Sequence, residues 1–462
     1  MATNKIYVVT DLGPGDGGKG GVVHSIATRM RAHTVIKVGG AQGSHGVRTS
    51  RGERFAFSQW GCGTFEGIRT HLSHRIVVTP EGILNEADAL RFEHGVHDPF
   101  ALLTVDERAL CASPYHRIAS SIIELARGND PRGTIGSGVG VAVRMAARFP
   151  DLVIRVRDLT RPDLRDRIAA TRAQVRHDLA PLFAGDFLPE DRAMVEEERE
   201  LLNDDGLLDY VEHRFREASK QARIVGPEYL GQVILAREGA AVVESSHGVL
   251  TDVYRGFHPH TSALRTLPCF TRAMLEDAGF RGKIVNLGVT RGYQIRHGAG
   301  PLPTENPSMS ENLLPGSNKD ENRYQGKVRV GPMDLVLNRY AIDACGGPEA
   351  FDGLAITWFD QIQVNGEWHV CHRYANADDP DFFTPAGMIK VRHDDDDAQL
   401  AHQEALGRRL FACVPELSTH RIPQEMTQGD VYALCAETLK DALGVPVRLV
   451  SFGPTERDKV LR

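Results

Sequence analysis

Lys5-Ile6-Tyr7-Val8-Val9-Thr10 leads, through Asp11 and Leu12, into Gly13-Pro14-Gly15-Asp16-Gly17-Gly18-Lys19-Gly20-Gly21 and on to Val22-Val23-His24-Ser25-Ile26-Ala27. The first six residues are rich in β-branched and aromatic types and read as a buried strand. Residues 22–30 carry apolar side chains at helical spacing. The segment therefore predicts a strand, a glycine turn and a helix in immediate succession. Residues 13–20 fit the phosphate-loop pattern of glycine, four residues, glycine and lysine. Glycines let backbone N–H groups turn toward an anion, and Lys19 adds a mobile positive charge. The residue after Lys19 is Gly20, where such loops place a serine or threonine on magnesium. Asp16 is then the candidate metal ligand. An aspartate among phosphates is repelled unless a cation or an acidic N–H faces it, so Asp16 reads as a chemical residue.

Working outward, short apolar runs bounded by turn signals recur at 34–38, 76–79, 240–243, 283–287 and 355–357. Strands alternating with helices predict an α/β fold with a mainly parallel central sheet. Residues 158–239 are highly charged, and Leu201, Leu202, Leu207, Leu208 and Val211 recur near helical spacing. That stretch reads as a helical insertion covering one side of the sheet, within one enlarged domain spanning 1–462. The run at 394–397 reads as a solvated loop. The net charge is -7 with no long basic tract, which argues against a nucleic-acid partner. A small anionic substrate stays open, because a local cationic pocket fits within an acidic protein. Seven cysteines stand singly, which implies reduced thiols in a cytoplasm and no disulfide framework or structural zinc. The first ten residues read as a strand, not a signal peptide, and no apolar stretch is long enough to span a bilayer.

Two more glycine clusters carry chemistry. Gly39-Gly40-Ala41-Gln42-Gly43-Ser44-His45-Gly46 sits at the carboxyl end of the next predicted strand, where open α/β sheets bind ligands. His45 is placed to donate to a phosphate or an activated oxygen. Gly133-Thr134-Ile135-Gly136-Ser137-Gly138-Val139-Gly140 is followed by Arg144 and Arg148, whose guanidinium groups suit a phosphate or a solvated helix face.

In this order the clusters resemble the adenylosuccinate synthetase family. Its Gly-Asp-Glu-Gly-Lys-Gly-Lys corresponds to residues 15–21, its Gly-Gly-x-Asn-Ala-Gly-His to 39–45, and its Gly-Thr-Thr-Gly-Arg-Gly-Ile-Gly to 133–140. Residues 295–305 (Ile-Arg-His-Gly-Ala-Gly-Pro-Leu-Pro-Thr-Glu), Arg329-Val330-Gly331-Pro332-Met333-Asp334 and Ser451-Phe452-Gly453-Pro454 resemble three further family motifs. The resemblance runs from the first strand to the last and is poorest in the helical insertion. It implies an NTP-dependent condensation of L-aspartate with a 6-oxopurine nucleoside monophosphate such as IMP, through a 6-phosphoryl intermediate. Asp16 is implied as general base, His45 as the group that stabilises or protonates the transferring phosphate, and Lys19 with Gly15, Gly17, Gly18 and Gly20 as the cradle of the donor. Magnesium (Mg2+) would lie on Asp16 and the carbonyl of Ser44. Asp360, Gly453 and Pro454 are implied at the donor, Gln42, Thr134, Arg148, His247 and Thr261 at the acceptor, and Lys327 and Arg329 at the aspartate carboxylates. Thr304 and Arg296 are further pocket candidates. A homodimer is implied, with Arg148 reaching the neighbouring subunit's site.

The chain departs from the family at several of these positions. Gly17 and Gly21 replace a glutamate and a lysine of the loop, Gln42 an asparagine, Ser44 a glycine and Ile135 a threonine. His247 replaces a glutamine, Trp358 the lysine of a Thr-Lys-x-Asp motif, and Lys327 stands in an altered loop, 322–329. The donor is left as GTP or ATP. A divergent enzyme joining aspartate to dGMP, or a paralogue using another amino acid, stays open. So does a nucleotide-binding regulator, which would need the loop but not His45, Lys327 or Arg329. A structural scaffold with a dead site is disfavoured, because Asp16, Lys19 and His45 survive together.

Overall fold

The computed structural model describes residues 4–314 and 324–462. Asn322 and Arg323, at the start of the altered loop, lie outside the described residues. Among those described, eleven strands form one sheet. From one edge the order is Lys459–Leu461, Val447–Ser451, Gly353–Thr357, Lys283–Arg291, Lys5–Asp11, Ala240–Gly248, Thr34–Gly40, Arg69–Val78, Leu103–Asp106 and Arg223–Val225, with Leu110–Cys111 also paired to Arg69–Val78. All these pairings are parallel except that of the terminal strand with Val447–Ser451. The expected α/β fold with a mainly parallel sheet is thus observed.

The central strands read as continuous apolar runs because both faces are covered. Val9, Val35 and Val242 face the core that holds Val22, Val23 and Ile26 of the helix Lys19–Arg29. Ile6, Val8, Ile36, Val38, Ala241 and Val243 face the opposite side, against Leu230, Ile234, Met274 and Leu275. Each such fully buried side chain is worth roughly 1.5–3 kcal/mol relative to exposure, so the helix behind the glycine turn is rigidly seated.

The stretch 158–239 holds the helices Leu164–Phe183, Arg192–Asn203 and Asp205–Gln221. It also holds the strand Arg223–Val225, which extends the sheet by pairing with Leu103–Asp106. Three residues are too few for a period of two to show in sequence. The 394–397 run is only partly loop: Asp396 caps the helix Asp397–Phe411 by accepting from Gln399 N, and Asp395 pairs with Arg265 at 2.8 Å. A second sheet, Tyr293–Arg296, Arg329–Asp334, Glu367–Tyr374 and Pro415–Arg421, was not anticipated. It packs with the helices Leu335–Ala344, Asp397–Phe411 and Gln428–Leu443 into a separate apolar cluster. No helix among the described residues is long and apolar enough to cross a membrane.

Candidate active site

The carboxyl ends of the central strands open onto a cavity of about 1890 Å³, larger than the roughly 300–1,000 Å³ of a pocket for one small ligand. Its walls include Gly15, Asp16, Gly18, Lys19, Gly20, Gln42, Ser44, His45, Thr134, His247, Thr261, Asp360, Gly453 and Pro454. These fourteen candidates, from seven separated segments, therefore meet in one place. Gly17, Arg148, Thr304, Lys327 and Arg329 are not part of these walls.

The glycine turn is built around Asp11, which the sequence did not single out. Its carboxylate accepts from Gly13 N and Gly17 N, each at 2.8 Å, and from Lys19 Nζ at 2.7 Å. The Lys19–Asp11 pair is 3% and 0% exposed, so the lysine charge is already neutralised inside the turn. A Cβ on residue 17 would stand 2.8 Å from Asp11 Oδ2. With Asp11 folded into the turn, position 17 has no room for a side chain, which accounts for the missing glutamate. Asp16 adopts φ 57°, a left-handed conformation unusual for a residue with a side chain. Arg291 Nε donates to its carbonyl at 2.5 Å, and its carboxylate meets His297 Nε2.

His45 is held from the neighbouring strand. Its Nδ1 lies 2.6 Å from Glu244 Oε1. Glu244 also lies 3.2 Å from Lys37 Nζ and accepts from Cys62 N at 2.8 Å. Burial works to raise the Glu244 carboxyl, but Lys37, His45 and the Cys62 amide overcome it and hold the group well below the usual carboxylate range. His45 itself is pushed below the ordinary imidazole value by burial, with Glu244 opposing and Lys19 and Lys37 pushing it further down. Facing a carboxylate, Nδ1 is the ring nitrogen placed to donate. His45, Cys62 and Glu244 offer ligand atoms within 4.8 Å of one another, but the Glu244 oxygens are spent on Lys37, His45 and Cys62 N. The trio is a charge network rather than a metal site.

Two of the departures touch. Gln42 Nε2 donates to His247 Nε2 at 2.8 Å. Burial, then Lys19 and His45, push His247 down to about 4, which leaves the neutral ring able to accept. Trp358 lines the cavity beside Asp360 and stacks under Arg291, 4.4 Å from guanidinium carbon to ring centre.

Part of the wall is cationic. Arg127, Arg132, Arg144 and Arg296 line it, and among the described residues only Arg127 has a carboxylate partner, Glu124. Arg144 is pushed below the usual guanidinium value by burial, then by Arg127 and Arg132. Arg296 is buried and pairs in register with Arg329 across two antiparallel strands. Its partners are the carbonyls of Pro301 and His260, at 3.3 and 3.1 Å. Burial, then Arg329, lowers it to about 9. Arg132, Arg144 and Arg296 thus carry charge on this wall that no carboxylate among the described residues pairs.

The remaining candidates have other partners. Arg329 pairs with Glu305 at 2.6 Å and donates to the carbonyls of Gly298 and Gly300, both at 2.6 Å. Thr304 donates to Pro332 O at 2.9 Å, and Lys327 is exposed. Arg148, 70% exposed, stacks on Phe149 and lies 3.9 Å from Asp178. Thr134 accepts from Gly136 N at 3.1 Å, and Thr261 lies 3.4 Å from His258 Nε2.

The family model and the relatives that match this chain are those of a carbon–nitrogen ligase of purine biosynthesis. The chain belongs to the adenylosuccinate synthetase family, whose model matches residues 8–460. It is 26% identical over 461 residues to adenylosuccinate synthetase of Myxococcus xanthus, covering 97% of this chain and 96% of that one. It is 28% identical over 393 residues to that of Natronomonas pharaonis, covering 78% and 79%. In fold it is similar to the fully ligated adenylosuccinate synthetase of Plasmodium falciparum, with a TM-score of 0.73, 16% identity and all of both chains covered. It is also similar to the cyanophage S-2L succinoaminodeoxyadenylate synthetase bound to dGMP and dATP, with a TM-score of 0.53, 14% identity and coverage of 99% and 95%.

Proposed function

We propose that the protein condenses the amino group of L-aspartate with C6 of IMP, at the expense of GTP, releasing adenylosuccinate, GDP and phosphate. One observation carries this reading: Asp16, Lys19 and His45, from two different turns, line one cavity that Arg132, Arg144 and Arg296 also line with no carboxylate partner among the described residues. The glycine turn takes the donor phosphates on its N–H groups and on Lys19. The cationic wall, with Thr134 and Thr261, takes the acceptor's phosphate, and Gln42 with His247 closes the space between.

A purine carbonyl oxygen is a poor leaving group until it is phosphorylated. Asp16 takes the ring N1 proton, which moves electron density onto O6. O6 then attacks the γ-phosphorus, and the bond to the GDP oxygen breaks. Phosphoryl transfer needs positioning and charge neutralisation more than covalent help. Arriving phosphates raise the proton affinity of His45, since negative charge favours imidazolium, and Glu244 steadies the charged ring. His45 then donates its Nε2 proton to the transferring group. Aspartate nitrogen attacks C6, and phosphate departs with the former O6. Arg329 holds an aspartate carboxylate in place of Glu305, with Lys327 closing from the loop.

The oxygen donors at Asp16 and Ser44 fit a magnesium ion, which favours carboxylate, carbonyl and phosphate oxygens. There it would neutralise charge on the donor's phosphates. The exposed Arg148 fits a contribution to a second copy's cavity in a homodimer. The cytoplasm is the expected compartment. A matrix of IMP and dGMP, GTP and ATP, with and without aspartate, read by product mass, tests the reading. The mass of adenylosuccinate is expected from IMP, GTP and aspartate. Product from dGMP alone overturns the acceptor, and slow triphosphate hydrolysis indifferent to aspartate overturns the ligase.

A further inference from the structure

Lys459 opens the terminal strand and lines the cavity beside Asp360 and Pro454. Its side chain is buried, yet no carboxylate among the described residues pairs with it. Its ammonium donates to the carbonyls of Gly453 and Thr455, at 3.1 and 2.7 Å. A lysine has three N–H donors, so one remains, and no acceptor among the described residues takes it. The Cβ that Gly21 lacks would stand 3.4 Å from Lys459 Cε and 3.6 Å from Nζ. The ammonium thus occupies the space in front of the loop position where a lysine is missing. Burial pushes it down to about 8, with Asp458, Asp360 and Glu456 pulling it back up and Arg29 pushing it further down. Burying an unpaired cation is costly unless a ligand completes its shell.

We propose that Lys459 is the specificity-determining residue for the donor base, donating to the 6-keto oxygen of a guanine whose N–H edge meets Asp360. This rests on the reading above that Asp360, Gly453 and Pro454 hold the donor. A cation beside a carboxylate matches guanine, which offers an acceptor next to donors. Adenine offers an amino group toward the lysine and a bare ring nitrogen toward the carboxylate, so both contacts fail together.

The test compares GTP, ITP and ATP as donors for the wild-type enzyme and Lys459→Met. ITP keeps the keto oxygen and lacks the 2-amino group. KM for GTP and for ITP is expected to rise roughly 10- to 100-fold, the loss of one hydrogen bond from a charged group. KM for ATP, IMP and aspartate is expected to stay level. An equal loss for all three donors, as a structural or phosphate-binding role would give, overturns the assignment, and so does no change. Lys459→Gln keeps an N–H and is expected to recover most of the discrimination, which also covers a Met variant that fails to fold. The same comparison by calorimetry, with β,γ-imido analogues of the three donors, needs no turnover. Wild-type preference for the keto bases, lost in the variant, supports Lys459 even if ligation is never seen, and its absence overturns the proposal independently of the ligase reading.

Discussion

At the glycine turn, Lys19 is folded onto Asp11, and Glu244 takes Lys37 and His45 together. At the arginine-rich wall, Arg144 stands near Arg127 and Arg132, with Glu124 on Arg127 their one paired carboxylate among the described residues, and buried Arg296 lies in register with Arg329, whose own carboxylate partner is Glu305. At the turn the side-chain charges are balanced internally, and Asp11 ties Gly13 N, Gly17 N and Lys19 into one rigid unit. The arginine-rich wall presents guanidinium groups beside the glycine segment 133–140, and Arg132, Arg144 and Arg296 have no carboxylate partner among the described residues. One end is balanced internally, and the other carries charge that its own carboxylates do not balance.

The largest effect expected from this contrast is at the turn. Asp16→Asn and His45→Ala should each lower kcat by roughly 10²–10⁴-fold, the usual worth of a positioned acid or base. Donor affinity by calorimetry should stay near wild type. Near-normal turnover in either variant removes its catalytic role. Next comes the arginine-rich wall: Arg296→Met should raise KM for IMP by about 100-fold and leave KM for GTP unchanged, as expected for a hydrogen-bonded charge contact. The same variant should melt at a higher temperature than wild type, because an uncompensated buried charge is replaced by an apolar side chain. A lower melting temperature breaks the comparison.

Glu244→Gln sharpens it from the other side. The carboxylate raises the His45 pKa, so its loss lowers that pKa. The protonated fraction then falls at any pH near neutrality. The alkaline limb of kcat should move to lower pH, and turnover at neutral pH should fall about tenfold for every pH unit the limb travels. An unmoved limb detaches Glu244 from His45. The smallest effect is the pH dependence at Lys459, whose ammonium burial pushes down to about 8. Asp458, Asp360 and Glu456 hold the proton on, and Arg29 opposes them. KM for GTP should therefore rise as pH increases through about 8, and the rise should be absent in Lys459→Met.

The glycine turn is legible in sequence because its pattern is local: strand, turn and helix follow within twenty-odd residues. Runs at 5–10, 34–38, 240–243, 283–287 and 355–357 fall within strands because those strands are buried on both faces. The run at 76–79 catches only the tail of Arg69–Val78. There, His71 and Ser73 interrupt the apolar pattern, and they are accommodated by partners on adjacent strands: Thr104 at 3.0 Å and Lys37 O at 2.8 Å. The strand Pro415–Arg421 in the second sheet carries mostly polar side chains and is largely solvent-facing, so no apolar alternation marks it. In the site, Glu244 reaches His45 across 199 positions and His297 reaches Asp16 across 281. No spacing rule links such pairs. Asp11 stands at the edge of the turn, and its role appears only when the backbone closes on it.

The central claim is that phosphorus moves onto the purine oxygen before nitrogen arrives, and isotope transfer reads this directly. IMP labelled with oxygen-18 at position 6 is turned over with unlabelled GTP and aspartate, and the released phosphate is weighed by mass spectrometry. One labelled oxygen in each phosphate is the predicted result. Unlabelled phosphate, with adenylosuccinate still formed, would contradict it.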